Sequence, residues 1–466
     1  MIVKTIPSTW LIEEQHRLDC GPFVKGSMEA IKILEHLDCK KDALVEVTKD
    51  GIDGMYHVGQ DKIMWATDKE HGIPFLRSAD ILRADISYHL LISSKQVANN
   101  PLFTCPEGTT LITRSGTIGR MMYARKGFDE VAISQDVLKV IPDNSKISSG
   151  YLYAFLTTKF GLPIVTGGTF GSIITHIEAE NIADIPVPRL GVIEKEADRL
   201  IKESATLLSS YQEKLQESTM LYFTGVGLSD ITPTIWHSWG SDLGFFTKVD
   251  VRSLRALNFN PRFNRLCERI KKGPWMPLSE ICIKGTLRSG PRFKRIDADP
   301  EFSYQLIGQK QIFWLRPEGR WIAKSSVGNE VLVPDGTILV AAQGTLGESE
   351  LFCRSEYITG KNLERAYSQH FLRVISDENI IKHGALFAFM RSETAFRMLR
   401  SASTGSKLQD FHYNVLPSIP IPYPEADVRT RCHELIVEAY IAREKAIELE
   451  DEARTIVERT IEEGGR

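Results

Sequence analysis

The sequence predicts an α+β fold: two tandem duplicated domains separated by two long helices that form an antiparallel coiled coil. Three observations predict it. The chain repeats itself, each repeat is followed by a long proline-free segment with coiled-coil spacing, and within each repeat short β-type runs alternate with glycine turns. The 466 residues, 42% hydrophobic and 25% charged, are ordinary globular composition at a length that calls for two or more packed cores.

The repeat comes first in the argument. Gly108 to Gly119, GTTLITRSGTIG, aligns with Gly336 to Gly347, GTILVAAQGTLG, with six identities in twelve positions at an offset of 228. At an offset of 234, SQDVLKVI from Ser134 matches SQHFLRVI from Ser368 with five of eight, and Gly150-YLYAFL matches Gly384-ALFAFM with four of seven. Gly171 to Pro188 matches Gly405 to Pro422 with five of eighteen, ending both times in Ile-Pro-aliphatic-Pro, where two prolines remove ladder donors and stop regular structure. Four blocks in one order at nearly one offset are a duplication.

Each copy reads as a compact α+β domain of about 170 residues. Its strands are runs such as LIT, VLKVI, TILVAA and FLRVI, followed by one helix, Tyr151 to Lys159 in the first copy and Ala385 to Leu399 in the second. After the first copy, Ile193, Ala197, Leu200, Ser204, Leu207, Tyr211 and Ser218 follow 4-3 spacing with one skipped position around Lys214 and Leu215. After the second, Val428, Cys432, Leu435, Ala439, Ala442, Ala446, Leu449, Ala453, Ile456 and Thr460 keep the spacing unbroken. Such stripes seek a partner along their length, and each is the obvious mate of the other; a run of about 33 residues makes a spacer on the order of 50 Å. The alternative is that both helices simply cover a domain core. Between them, Trp236 and Trp239 lie in a Gly- and Pro-broken linker whose aromatics dock on an undetermined surface.

Composition excludes several function classes. A net charge of −3 excludes a uniformly basic binder, and seven scattered cysteines without a C-x-x-C pair exclude a disulfide framework or a cysteine metal site. Met1 to Cys20 lacks an apolar core flanked by basic residues, and no window has 18 uninterrupted apolar residues, so a cytoplasmic protein with no membrane partner is expected. No phosphate-loop motif, G-x-G-x-x-G, H-E-x-x-H or E-x-K occurs. Asn260-Pro261-Arg262-Phe263 is a partial echo of the N-P-P-F loop of amino-methyltransferases, with Arg262 in place of the second proline.

The chemistry that is present is unevenly spread charge. From Lys248 to Glu330 there are 17 Lys and Arg against 8 Asp and Glu, whereas Glu425 to Arg466 has 7 against 12. Within the basic stretch LRSGPRFKR sets Arg288, Arg292, Lys294 and Arg295 around a Ser-Gly-Pro turn, cations suited to phosphate or to guanine O6 and N7. Two pairs of glycine turns carry small polar residues able to donate to phosphate: Ser115 and Thr117 with Gln343 and Thr345, then Thr169 and Ser172 with Thr404, Ser406 and Lys407. Glycines needed only for a left-handed backbone would leave the same pattern.

In order and content these motifs resemble the specificity (S) subunit of type I restriction-modification systems and of related methylation-associated phage-defence systems. The resemblance covers almost the whole chain and is carried by LITRSGTIGR at Leu111, ISQDVLKVIP at Ile133 and GTFGSIITHIEAENIADIPVP at Gly168, with their repeats LVAAQGTLG at Leu339, YSQHFLRVI at Tyr367 and STGSKLQDFHYNVLPSIPIP at Ser403. It implies target-recognition domains at 1–190 and 248–424, spacer helices at 191–224 and 425–466, and a linker at 225–247. It also implies a non-enzymatic chain without a cofactor, which recognises a bipartite target in double-stranded DNA and recruits two methyltransferase subunits; whether a restriction or translocase subunit joins stays open. The expected DNA-binding residues are then Arg114 with the polar and basic residues just named, and the expected partner-binding residues are Leu200, Leu207, Leu435, Ala446 and Leu449. Gln343 in place of Ser115 departs from the repeat and implies that the two domains read different sequences. A stand-alone adenine methyltransferase or nuclease, or a protein–protein scaffold, remain the alternatives.

Overall fold

The computed structural model describes residues 4–13, 21–24, 26–87, 90–167, 176–240, 244–249 and 253–465. They form two units, one of residues 1–209 with 445–466 and one of 210–444.

Both units contain the same four-stranded antiparallel sheet. In the first its order is Met55–Tyr56, Val137–Val140, Thr110–Thr113, Met121–Tyr123; in the second it is Arg288–Ser289, Phe371–Val374, Thr337–Ala341, Ser355–Ile358. Thr110–Thr113 and Thr337–Ala341 are buried at every position, which is why they read as continuous apolar or β-branched runs without alternation. The helix that follows is Ser149–Leu156 in one copy and His383–Met390 in the other, again buried almost throughout. The duplication therefore holds for the four-stranded sheet and the helix that follows it.

The Ile-Pro-aliphatic-Pro motifs differ from expectation. They are strands: Pro186–Pro188 pairs with Lys41–Ala43, and Pro420–Pro422 with Trp275–Pro277. A two-stranded ribbon needs donors only at alternate positions, so prolines flanking Val187 or Ile421 cost it no ladder bond. Tyr151 and Tyr222 donate their hydroxyls to the carbonyls of Pro188 and Pro422, tying each ribbon to a helix.

The copies diverge after the first strand of the four-stranded sheet. The first unit inserts a second sheet, ordered Trp65–Ala66, Leu91–Ser93, Gly72–Leu76, Ala132–Ile133, over a small core of Val58, Phe75, Ile92 and Phe103. The second inserts a hairpin, Ser303–Ile307 with Gly319–Ala323, over Leu306, Ile322, Val331 and Ala366.

The two long helices, Val192–Thr224 and Ala426–Glu462, run antiparallel: Tyr211 meets Tyr440 edge to face, Lys214 pairs with Glu438, and Ser218 Oγ donates to Cys432 O at 2.9 Å. In the first unit Ala197, Leu200 and Ile201 share a core with Leu449, Ala453 and Val457. The seam of the first helix passes through Leu208, Leu215 and Tyr222, each buried, while Leu207 is half-buried. The skip expected near Lys214 therefore vanishes, because the 4-3 pattern runs 201, 204, 208, 211, 215, 218, 222.

The linker packs on the second unit. Half-buried Asp230 accepts from the N–H groups of Glu393 (3.0 Å) and Thr394 (2.8 Å) and so caps helix Glu393–Ser401. Trp236 is buried under the guanidinium groups of Arg262 and Arg397, 5.8 and 5.7 Å from its ring centre. Asn260, of the methyltransferase-like motif, is an N-cap: its side chain accepts from Arg262 N at 2.8 Å at the start of helix Pro261–Ile270. Among the described residues no helix is long and apolar enough to cross a membrane, and no group of His, Cys, Asp or Glu is placed to hold a metal ion.

Candidate nucleic-acid interface

In the second unit, the basic segment begins as the edge strand Arg288–Ser289 and leaves the sheet at Gly290, whose N–H donates to Phe371 O at 3.0 Å. A Cβ at Gly290 would lie 2.5 Å from Ser368 O, so this close approach requires glycine. Phe293 packs on the cluster of Leu306, Ile322, Val331 and Ala366, anchoring the loop, while Arg288, Arg292, Lys294 and Arg295 are exposed. The aromatic is thus the root and the cations are the presented surface.

Three further segments join this loop. Arg295 reaches His370 Nε2 at 3.2 Å, and His370 Nδ1 lies 2.7 Å from Gln343 Oε1. Gln309 holds the backbone of Gln343 from both sides, accepting its N–H (3.0 Å) and donating to its carbonyl (2.9 Å). The turn after Gln343 is held from beneath by buried Arg400, which donates to Leu346 O and Gly347 O at 2.7 Å each, leaving Thr345 exposed. Burial lowers the Arg400 pKa to about 10, and the carbonyls compensate the guanidinium. Gly344 bridges Gln409 in the hairpin Ser403–Gly405/Gln409–Phe411, whose tip exposes Ser406 and Lys407; Thr404 is half-buried opposite Asp410. Burial and the nearby Arg295 and Arg292 lower the His370 pKa, with Asp410 opposing.

The first unit uses its equivalents differently. Arg114 is buried, donating to Ile177 O (3.1 Å) and Gln135 O (3.2 Å) and pairing with Glu178, which also takes His57 Nε2 at 3.2 Å. Its guanidinium is consumed inside the unit, so Arg114 positions the neighbouring turn and offers DNA no free charge. Ser115 donates to Asp136 Oδ1 at 2.7 Å, and Thr117 is half-buried with its carbonyl taken by the Thr113 hydroxyl. Thr169 and Ser172 lie outside the described residues.

Leu200, Leu435, Ala446 and Leu449 are buried, at 5% exposure or less, and Leu207 is half-buried. They hold the long helices, so a partner would meet other faces, where Val192, Met220 and Ile441 are exposed. Sequence reasoning missed Asp136, Gln309, His370 and Arg400. A signal existed for two of them: Asp136 and His370 are the mismatched third residues of SQDVLKVI and SQHFLRVI.

Three solved structures align along most of the chain. They are a type I restriction-modification system S subunit from M. genitalium (12% identity, 92% of this chain and 96% of that one, TM-score 0.28), an HsdS subunit from Thermoanaerobacter tengcongensis (12%, 91% and 96%, TM-score 0.26), and a chain from a structure concerning complex assembly and conformational transition of the type I R-M system (11%, 92% and 97%, TM-score 0.26). No curated protein matches the chain. The family model for the type I restriction modification DNA specificity domain matches residues 60–207, which run from the first unit's inserted sheet into its long helix. Residues 60–207 are thus similar to type I restriction modification DNA specificity domains.

Proposed function

We propose that this chain is the DNA-specificity subunit of a type I restriction-modification-like defence complex. It binds a bipartite duplex target, one half-site per copy, and its long helices hold the methyltransferase subunits that supply the chemistry. The observation that carries the reading is the specificity-domain match over residues 60–207, together with a second copy that repeats the four-stranded sheet, the buried helix and the proline ribbon of the first. The exposed cations of loop 288–295 supply the salt-dependent phosphate contacts, and the polar turns beside them discriminate bases. Two readers in one chain act as a bivalent ligand, so weak half-site affinities multiply through effective concentration.

The test is binding of random-sequence duplex DNA by the full chain, alone and with its methyltransferase partner, across a salt series. Replacing Arg288, Arg292 and Lys294 with Ala should weaken binding roughly tenfold or more at low salt and flatten the log–log salt slope by about 0.9 for each phosphate no longer neutralised. Unchanged affinity removes the loop from the interface. Failure of the wild-type chain to bind duplex DNA at low salt in either form defeats the whole reading.

A further inference from the structure

The two copies place a hydrogen-bonded pair at one and the same point of their common sheet, with different chemistry in each. Arg114 N donates to Asp136 O at 3.0 Å, and Ala342 N donates to His370 O at 2.9 Å. The next residue in each copy then reaches across: Ser115 Oγ to Asp136 Oδ1 and Gln343 Oε1 to His370 Nδ1, both at 2.7 Å. The offsets are those of the sequence repeat, 228 for the first member of each pair and 234 for the second.

Donor and acceptor roles follow by elimination. A guanidinium can only donate, so His370 Nε2 must accept from Arg295. The proton of the neutral ring then sits on Nδ1 and is donated to Gln343, whose facing atom must be its oxygen. Gln343 Nε2 is left with two N–H groups and no partner among the described residues. The charged groups facing the ring are Arg295 and Arg292 from the basic loop and Asp410 from the hairpin. In the first copy the Ser115 hydroxyl satisfies Asp136 Oδ1, and Oδ2 has no partner among the described residues. One copy therefore ends in donors and the other in an acceptor.

We propose that these pairs are base-edge readers of opposite polarity: Gln343, held by His370, donates to the O6/N7 edge of guanine in one half-site, and Asp136, held by Ser115, accepts from the exocyclic amino group of cytosine or adenine in the other. The inference rests on the reading of the chain as a DNA-specificity subunit. It gives a physical reason why duplicated domains recognise different half-sites: the backbone frame is shared and the polarity of two side chains is exchanged.

The test is selection from a random-sequence duplex pool by the full chain with its methyltransferase partner, followed by sequencing of the retained DNA. Gln343→Glu replaces the two N–H groups by an acceptor of the same shape. One guanine position of the wild-type motif should switch to a base that presents an amino group, with preference for the original falling about tenfold or more. Asp136→Asn should relax one cytosine or adenine position in the other half and leave the guanine half intact. Uniform weakening over all sequences would mean that Gln343 meets a phosphate, and an unaltered motif in both variants would mean that neither pair touches a base; either outcome overturns the inference while leaving the specificity-subunit reading in place. Absence of any selected motif with the wild-type chain removes that reading and this inference with it.

Discussion

Lys139 is a costly charge in the first unit. It sits fully buried on the strand Val137–Val140, its ammonium donating to Leu102 O at 2.8 Å and lying 5.2 Å from the centre of the Tyr56 ring. Among the described residues no carboxylate pairs with it, and burial pushes its pKa from 10.5 down to about 8. The second copy has Arg373 at this register position, half-buried and donating to Glu330 O at 2.7 Å. Because the folded pKa lies below the unfolded one, the unfolded chain binds more protons between about pH 8 and 10.5, and the penalty is fully present below pH 8 and relieved across that window. Lys139→Met should therefore raise the stability of this unit by about 1–3 kcal/mol at pH 7. In paired thermal unfolding series the gap between variant and wild type should narrow as pH rises from 8 to 10.5; a gap constant with pH would show that altered packing, not charge burial, governs the site. LKV and LRV read alike as strand segments in sequence, and nothing local indicates that one cation is fully enclosed and the other half-buried.

At the scale of elements, the glycines that open Gly150-YLYAFL and Gly384-ALFAFM explain why that block survives in both copies. A Cβ at Gly150 would stand 2.8 Å from Asp198 Cα, and one at Gly384 would stand 3.0 Å from His433 Cα. Their N–H groups donate to Asp198 Oδ1 (2.9 Å) and His433 Nδ1 (3.2 Å), so each buried helix is clamped to a long helix at van der Waals distance. Gly150→Ala and Gly384→Ala should each destabilise by about 1–3 kcal/mol through overpacking. Each residue lies in its own unit, so the losses should be additive in denaturant titrations of the double variant; no loss at either site would mean that the long helix shifts freely. The repeat blocks were legible because they make the same interactions twice. The register of the long-helix seam was legible to within one residue: Leu207 and Leu208 are equally apolar, and only packing selects Leu208.

At the scale of the whole molecule, each unit contains part of both long helices, with the divisions at Ser209/Ser210 and Glu444/Lys445. Leu435 is fully buried in the second unit. Leu435→Asp should cost more than about 3 kcal/mol by enclosing a carboxylate without a partner, and on the proposed function it should also release methyltransferase subunits from the chain. Size-exclusion chromatography of the co-expressed complex checks this: intact assembly with a disrupted helix pair would show that the helices do not carry the partner. The sequence by itself determined the duplication, the strand runs and the amphipathic stripes, because periodicity and repetition are local and survive in one dimension. Only the tertiary structure decided that Arg114 turns inward while Arg295 stays exposed, and that Ser115 meets Asp136 as Gln343 meets His370. Those pairings join residues just beyond the ends of neighbouring strands, more than twenty positions apart, and strand order, which sets them, is a property of the packed sheet that no local pattern encodes.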